Sequence, residues 1–139
     1  SGTLSPALVA GMGAAAKAAN EALDSDAEHV EQLWNRAREL FSGWHLNGSA
    51  EARWHGNLSI RRDRLDVARL MSDCREVMFS AGSACASGSG RPSHVLKAIG
   101  LSERQAKSSI RLGFGRYTSE HDIIAAAAAI NAAAKEQGL

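Results

Sequence analysis

The 139-residue sequence predicts a mixed fold of helices and strands, of the α/β or α+β class. Three observations carry that prediction. Val30, Leu33, Trp34, Ala37, Leu40 and Phe41 recur at three- and four-residue spacing, the period of an amphipathic helix. The stretch SSIRLGFG alternates instead, with Ile110, Leu112 and Phe114 on one side and Arg111 on the other, the period of a strand. Helical and strand-like patterns then follow one another along the whole chain, with no internal repeat and no low-complexity linker.

The elements follow in order. Ser5 to Ala22 reads as a helix, with Ser5 as N-cap and Pro6 at the first helical position, where its missing N–H costs nothing. This helix is small and apolar nearly all round, which suits close packing rather than exposure to water. Gly11 and Gly13 would each weaken it by about 1 kcal/mol in isolation. Asp26 to Phe41 is the second helix, ended by Gly43. WHLNGS is a short strand entering an Asn47-Gly48 turn, a dipeptide that accepts positive φ and joins paired strands. EARWHGNLSIR is a second strand interrupted by Gly56, DRLDVARLMS a short amphipathic helix and EVMFS a brief apolar strand. Pro92 to Ile99 reads as a helix closed by Gly100, and Ser102 to Ala106 as one more helical turn. After SSIRLGFG, Thr118 is the expected cap of the final helix, with Glu120 and His121 in its first turn and Lys135 near its C-terminal end.

Composition narrows the function. The chain is 45% hydrophobic, enough for a real core. A net charge of +1 gives no footprint for nucleic acid or a membrane surface, so neither is expected as a partner. No run approaches the roughly 18 apolar residues of a transmembrane helix, and the opening SGTLSPAL is not a signal peptide. That opening has no initiator Met, which points to a processed product or a piece of a longer chain. Two cysteines, Cys74 and Cys85, are too few for a disulfide framework and lack metal-ligand spacing, so a reducing, cytoplasmic setting and no metal site are expected.

Cys85 sits within SAGSACASGSGRPSHV, among small residues and glycines. A thiol on such a loop is reachable and could take sulfur at one place and deliver it at another. Composition alone equally allows a small residue in a flexible linker. Cys74, at a helix end in MSDCREV, reads as structural.

The stretch SAGSACASGSGRPSHVLKAIGL followed by SSIRLGFGRYTSEHDI resembles the cysteine desulfurases, pyridoxal-phosphate enzymes of the class V aminotransferase group, in the branch that serves iron–sulfur cluster assembly. SGTLSPALVAGMGAA and NGSAEARWHGNLSI are similar to further segments of that family, so the resemblance covers nearly the whole chain. It implies the small C-terminal domain of a fold-type I PLP-dependent transferase, a small sheet covered by helices. Residues 1–26 would be the last helix of the large PLP-binding domain and residues 27–139 the small domain with its cysteine loop.

The resemblance also implies a reaction. Sulfur is removed from L-cysteine, giving L-alanine and a persulfide on the enzyme, which a scaffold or other acceptor then takes up. By its place in the motif Cys85 is the catalytic nucleophile, Arg111 binds the substrate carboxylate, and Thr3 reaches the cofactor phosphate of the other subunit of a homodimer. One departure bears on all of this. The Schiff-base lysine, the catalytic histidine and the aspartate for the pyridine nitrogen have no counterparts here, so the chain looks like the C-terminal third of such an enzyme and is expected to be inactive alone. GSGRPSHV also carries Arg91 where the family commonly has an acidic residue. Two other readings stand beside this one: a stand-alone sulfur carrier or interaction domain without desulfurase activity, and a related class V transaminase or lyase in which the cysteine is incidental.

Overall fold

In the computed structural model, residues 2–82 and 93–139 are described. The chain begins with two helices in line, α1 (Pro6–Glu21) and α2 (Leu23–Leu40). Ala22 serves as C-cap of the first and N-cap of the second, so the break falls ahead of the expected start at Asp26. There follow β1 (His45–Leu46), β2 (Asn57–Arg61), α3 (Val67–Asp73), β3 (Ser80–Ala81), α4 (His94–Ala98), α5 (Glu103–Lys107), β4 (Ser109–Gly113) and α6 (Glu120–Glu136).

Among the described residues four strands form one sheet in the order β1-β2-β4-β3, each pairing antiparallel. Of the two classes left open by the sequence, this is α+β. Strand alternation decides what each face does. Leu58, Ile60, Ile110 and Leu112 point to one side and are buried, while Ser59, Arg61 and Arg111 stand on the other. Against the apolar side pack Val30, Leu33, Trp34 and Ala37 of α2 and Ile123, Ala127, Ile130 and Ala134 of α6, with Leu70 of α3 closing the core.

Long-range polar contacts lock α2 to the end of the chain. The Trp44 indole N–H donates to Asn131 Oδ1 at 2.8 Å, and Asn131 Nδ2 donates to the Leu40 carbonyl at 3.0 Å, satisfying the end of α2. Arg116 forks onto the Asp26 carboxylate, and His29 bonds the Thr118 carbonyl at 2.8 Å.

Several expectations are corrected. The cap of α6 is Ser119, not Thr118: Ser119 Oγ accepts from Asp122 N and the Asp122 carboxylate accepts from Ser119 N, a reciprocal box. Thr118 instead closes the preceding turn, its hydroxyl accepting from Gly115 N at 3.1 Å. EVMFS is mostly not strand. Val77 N turns back to the Cys74 carbonyl, Met78 is 92% exposed, and pairing begins only at Ser80. Asn47-Gly48 does turn, with Gly48 at φ +81, but it opens the whole 47–56 connection rather than a tight hairpin. Helix α2 ends at Leu40 with Phe41 as its C-cap, ahead of Gly43, and α4 begins after a Ser93 cap; Pro92, expected at its start, lies outside the described residues. α1 forms over the predicted range, but Ser5 caps it without a side-chain hydrogen bond, and no residue of α1 is buried.

Candidate functional site

The site is built around the middle of β4. Ile110 and Leu112 anchor that strand in the core, so the residue between them must face outward, and Arg111 is exposed there. Arg111 pairs with Ser59 on β2 and with Ser80 on β3. Its neighbours across the sheet are therefore two short hydroxyl side chains, which leave a guanidinium room to meet a ligand.

Beneath this face runs a polar seam. Asn47 is only 3% exposed, yet each of its side-chain atoms has a partner. Its Nδ2 donates to Ser59 Oγ and to Ser109 Oγ, each at 3.1 Å, and its Oδ1 accepts from Arg61 Nη1 at 2.8 Å. Ser109 in turn donates to the Gln105 carbonyl at 2.7 Å. The seam joins β1, β2, β4 and α5 at the level where Arg111 projects. A buried network that pairs every polar side-chain atom of Asn47 favours one arrangement of its strands, although the buried Arg61 Nε finds no partner among the described residues. Nothing in the sequence marked Asn47 for that role beyond its turn-forming dipeptide.

The second expected residue is Cys85. It lies outside the described residues, as do Arg91 and the rest of the segment 83–92; the mobility that Gly and Ser content predicts for Gly82 to Gly90 falls outside them too, but for Gly82 itself. Both ends of the segment are described. Before it, Ser80 and Ala81 pair with Arg111 and Ile110, and Gly82 N–H continues the ladder to the Ser109 carbonyl at 2.9 Å. After it, Ser93 is buried and its hydroxyl accepts from Leu96 N, starting α4. The first end lies on the edge of β4 beside Arg111, and Leu96, within α4, reaches the same place next to Gly82.

Thr3, the third, is exposed on the extended lead-in to α1. No hydrogen bond among the described residues brings it to the sheet. Cys74, read as structural, is a core residue: its thiol donates to the Ala129 carbonyl at 3.6 Å, and burial pushes its pKa up, which suppresses the reactive thiolate.

The fit to pyridoxal phosphate is partial. A lysine that forms a Schiff base must be desolvated or set beside another cation. Lys17 and Lys107 instead pair with Glu21 and Glu103 one turn away on exposed helix surfaces, at 3.8 and 2.8 Å, and Lys97 and Lys135 are exposed. Arg111 and Thr3, the residues expected to meet a substrate carboxylate and a cofactor phosphate, are both exposed, and no centre for such a site lies among the described residues. His55 stacks on Trp34 with centroids 4.5 Å apart and bonds Glu31 and the Ala50 carbonyl, which raises its pKa and uses it in packing. No three metal-ligating side chains cluster among the described residues. A groove of about 660 Å³ is lined by the inward-facing Leu112 and Phe114 with Cys74, Met78 and Ile123, and so lies away from the Arg111 face.

No family model matches the chain. It is 37% identical over 127 residues to the cysteine desulfurase IscS of Rickettsia prowazekii, an alignment covering 88% of this chain and 31% of that protein. It is 39% identical over 126 residues to the mitochondrial cysteine desulfurase of Saccharomyces cerevisiae, covering 88% and 25%. Among solved structures, a NifS-like protein superposes with a TM-score of 0.75 at 24% identity over all of this chain and 35% of the other. A second, the NifS-like protein from Rickettsia africae, gives 0.79 at 24% identity over 96% and 36%. The structures show a shared fold. The chain spans no more than about a third of the length of these curated relatives.

Proposed function

We propose that this chain is the C-terminal portion of a cysteine desulfurase, the part that holds the substrate by its carboxylate and accepts its sulfur. Residues 27–139 make the small domain, and residues 1–26, with α1, belong to the large cofactor-binding domain. The single observation that supports this reading is the register of β3 on β4. Ser80 pairs with Arg111, and the chain runs from there through Gly82 toward Cys85. The five residues from Ser80 to Cys85 extend at most about 18 Å, so the thiol starts its path within reach of whatever Arg111 holds.

Each residue then has a task. The Arg111 guanidinium makes a two-pronged, charge-assisted contact with the carboxylate of L-cysteine, which fixes the amino acid's orientation and which a lysine cannot reproduce. The Cys85 thiolate attacks the substrate sulfur. A sulfur–sulfur bond forms and the carbon–sulfur bond breaks. Its electron pair stays with the substrate carbon, which takes up a proton and leaves as L-alanine, while Cys85 keeps the sulfur as a persulfide. Pyridoxal phosphate, held by the rest of the enzyme, supplies the electron sink that this bond cleavage requires. The Thr3 hydroxyl donates to the cofactor phosphate of the partner subunit in a homodimer. An iron–sulfur scaffold or another thiol acceptor collects the sulfur. The reduced thiol suits the cytoplasm, and no helix among the described residues is long and apolar enough to cross a membrane.

The test is sulfide release from L-cysteine together with mass-spectrometric mapping of persulfide in the full-length enzyme. Cys85→Ser is expected to abolish the persulfide with the cofactor still bound, because a hydroxyl cannot accept sulfur. Arg111→Ala is expected to weaken L-cysteine binding by about 2–5 kcal/mol in a desolvated site. This chain alone should release no sulfide. Persulfide found on Cys74, or formed at the wild-type rate by Cys85→Ser, would overturn the assignment.

A further inference from the structure

Gly82 is the last described residue before the segment that carries Cys85. A Cβ built on it would lie 2.6 Å from Leu96 Cδ1, 3.3 Å from Ser109 Cβ and 3.4 Å from the Ala106 carbonyl oxygen. The backbone there has no positive φ, so space rather than conformation makes the position a glycine. Gly43 and Gly115, by contrast, would meet nothing with an added Cβ.

The three walls around Gly82 come from three elements, and all are buried: Leu96 of α4 at 5% exposure, Ala106 of α5 at 4% and Ser109 of β4 at 0%. A leucine methyl usually swings aside, but this one is enclosed. Its helix is fixed at the start by the Ser93 cap and at the end by Gly100, at φ +92, with Leu101 N bonded to the Leu96 carbonyl at 3.0 Å. The reciprocal Ser102–Gln105 box then holds α5 against the same spot. An added Cβ would therefore have to turn the enclosed Leu96 side chain out of its present rotamer, move α4 or pull Gly82 off the ladder. Overpacking of this kind is relieved by backbone shifts, not absorbed in place.

We propose that Gly82 is a positioning residue: lacking a Cβ, it lets Leu96 seat against the end of β3 and so fixes the point at which the Cys85 segment leaves the sheet beside Arg111. Ser93 and Leu96 lie at the far end of that same segment, so one contact sets both of its roots. The inference rests on the reading of Cys85 as sulfur acceptor and of Arg111 as the carboxylate contact. Errors of about 1 Å in where a reacting group is held can cost on the order of 10²-fold in rate.

The test uses two readouts. In this chain, amide hydrogen exchange reports the anchor. Gly82→Ala is expected to expose the residue 82 N–H and speed its exchange about tenfold or more while Ile110 stays protected. In the full-length enzyme, single-turnover persulfide formation at Cys85 is expected to slow by about 10²-fold, with the KM for L-cysteine and the cofactor absorbance unchanged. Adding Leu96→Val removes the methyl that the new Cβ meets, and both readouts should return most of the way to wild type. Should Gly82→Ala fail to fold, Leu96→Val alone removes the same contact without adding an atom, and it should slow sulfur transfer severalfold. Wild-type transfer rates in Gly82→Ala, or in Leu96→Val where that variant stands in, overturn the inference, as does a Gly82→Ala defect that Leu96→Val does not relieve. A wild-type enzyme that places no persulfide on Cys85 overturns the functional reading instead, and the exchange result is then read on its own.

Discussion

Helices α1 and α6 are nearly the same length, 16 and 17 residues, and both are rich in alanine, yet they end in opposite environments. α6 buries Ile123, Ala127, Ile130, Ala133 and Ala134, while α1 buries nothing and leaves Leu8 76% and Met12 73% exposed. Composition does not separate them. Placement does: Ile123, Ala127, Ile130 and Ala134 fall on one stripe, and that stripe meets α2 and the sheet. The ends differ as well. α6 has a reciprocal cap, two acids in its first turn and Lys135 in its last, all complementing the helix dipole. α1 has a silent cap, no acid in its first turn, no base in its last, and two glycines. A helix so weak locally and so apolar outside is suited to a surface that the described residues do not contain, in keeping with its proposed place in the large domain.

The comparison can be broken most directly in the core. Ile130→Ala removes a fully buried side chain and should cost about 2–5 kcal/mol in chemical denaturation of this chain. Leu8→Ala should change the same measurement by less than about 0.5 kcal/mol, and equal losses would mean that α1 is packed after all. The caps come next. Ser119→Ala should cost about 1 kcal/mol, whereas Ser5→Ala should be silent. Gly11→Ala sharpens the contrast, since an added Cβ there meets nothing within 4 Å. It should raise helix content by circular dichroism, with a local gain of about 0.5–1 kcal/mol and no shift in the main unfolding midpoint. In the full-length enzyme the same change should destabilise, if α1 is held there by close backbone approach.

The smallest effect is acid dependence. Hydrogen bonds from the Ser119 hydroxyl and backbone hold the Asp122 carboxyl below the usual aspartate range. A group with a depressed folded-state pKa stabilises fully above its unfolded value, about 3.9, and loses that contribution as pH falls through the folded value. The difference in melting temperature between wild type and Asp122→Ala should therefore be constant near neutrality and close below about pH 4. A difference that persists in acid would show that the carboxylate's charge plays no part in the cap.

Much of this was legible in the sequence because it depended on local pattern. The periodicity of Val30 to Phe41, the alternation through Arg111 and the placement of Cys74 in the core all follow from residues close in the chain. What escaped depended on partners far away. Thr118 and Ser119 are equally good caps by type; only the reach of Asp122 back to Ser119 decides between them. Val77 to Phe79 has strand-like side chains, but the Val77 N–H turns back to Cys74 and pairing with β4 begins only at Ser80. Asn47 and Gly82 gave no local signal, since one is defined by hydroxyls on two distant strands and the other by a leucine across a sheet edge. Arg111 and Cys85 were singled out by the motifs they sit in; the register that sets Ser80 beside Arg111 was not readable from either.

The strand order has a consequence for how the chain comes to be. β4, an inner strand of the sheet, is the last of the four to be synthesised, and β2 must wait for it. The bonds that close the domain span 62, 87 and 91 residues. Little of the sheet can therefore assemble while the chain is still emerging from the ribosome, and loop-closure entropy is met almost entirely before any contact repays it. Until α6 arrives, the apolar stripe of α2 is bare, and so is α1 beside it. A chain that stops before α6 leaves the apolar stripe of α2 uncovered and is expected to fold poorly.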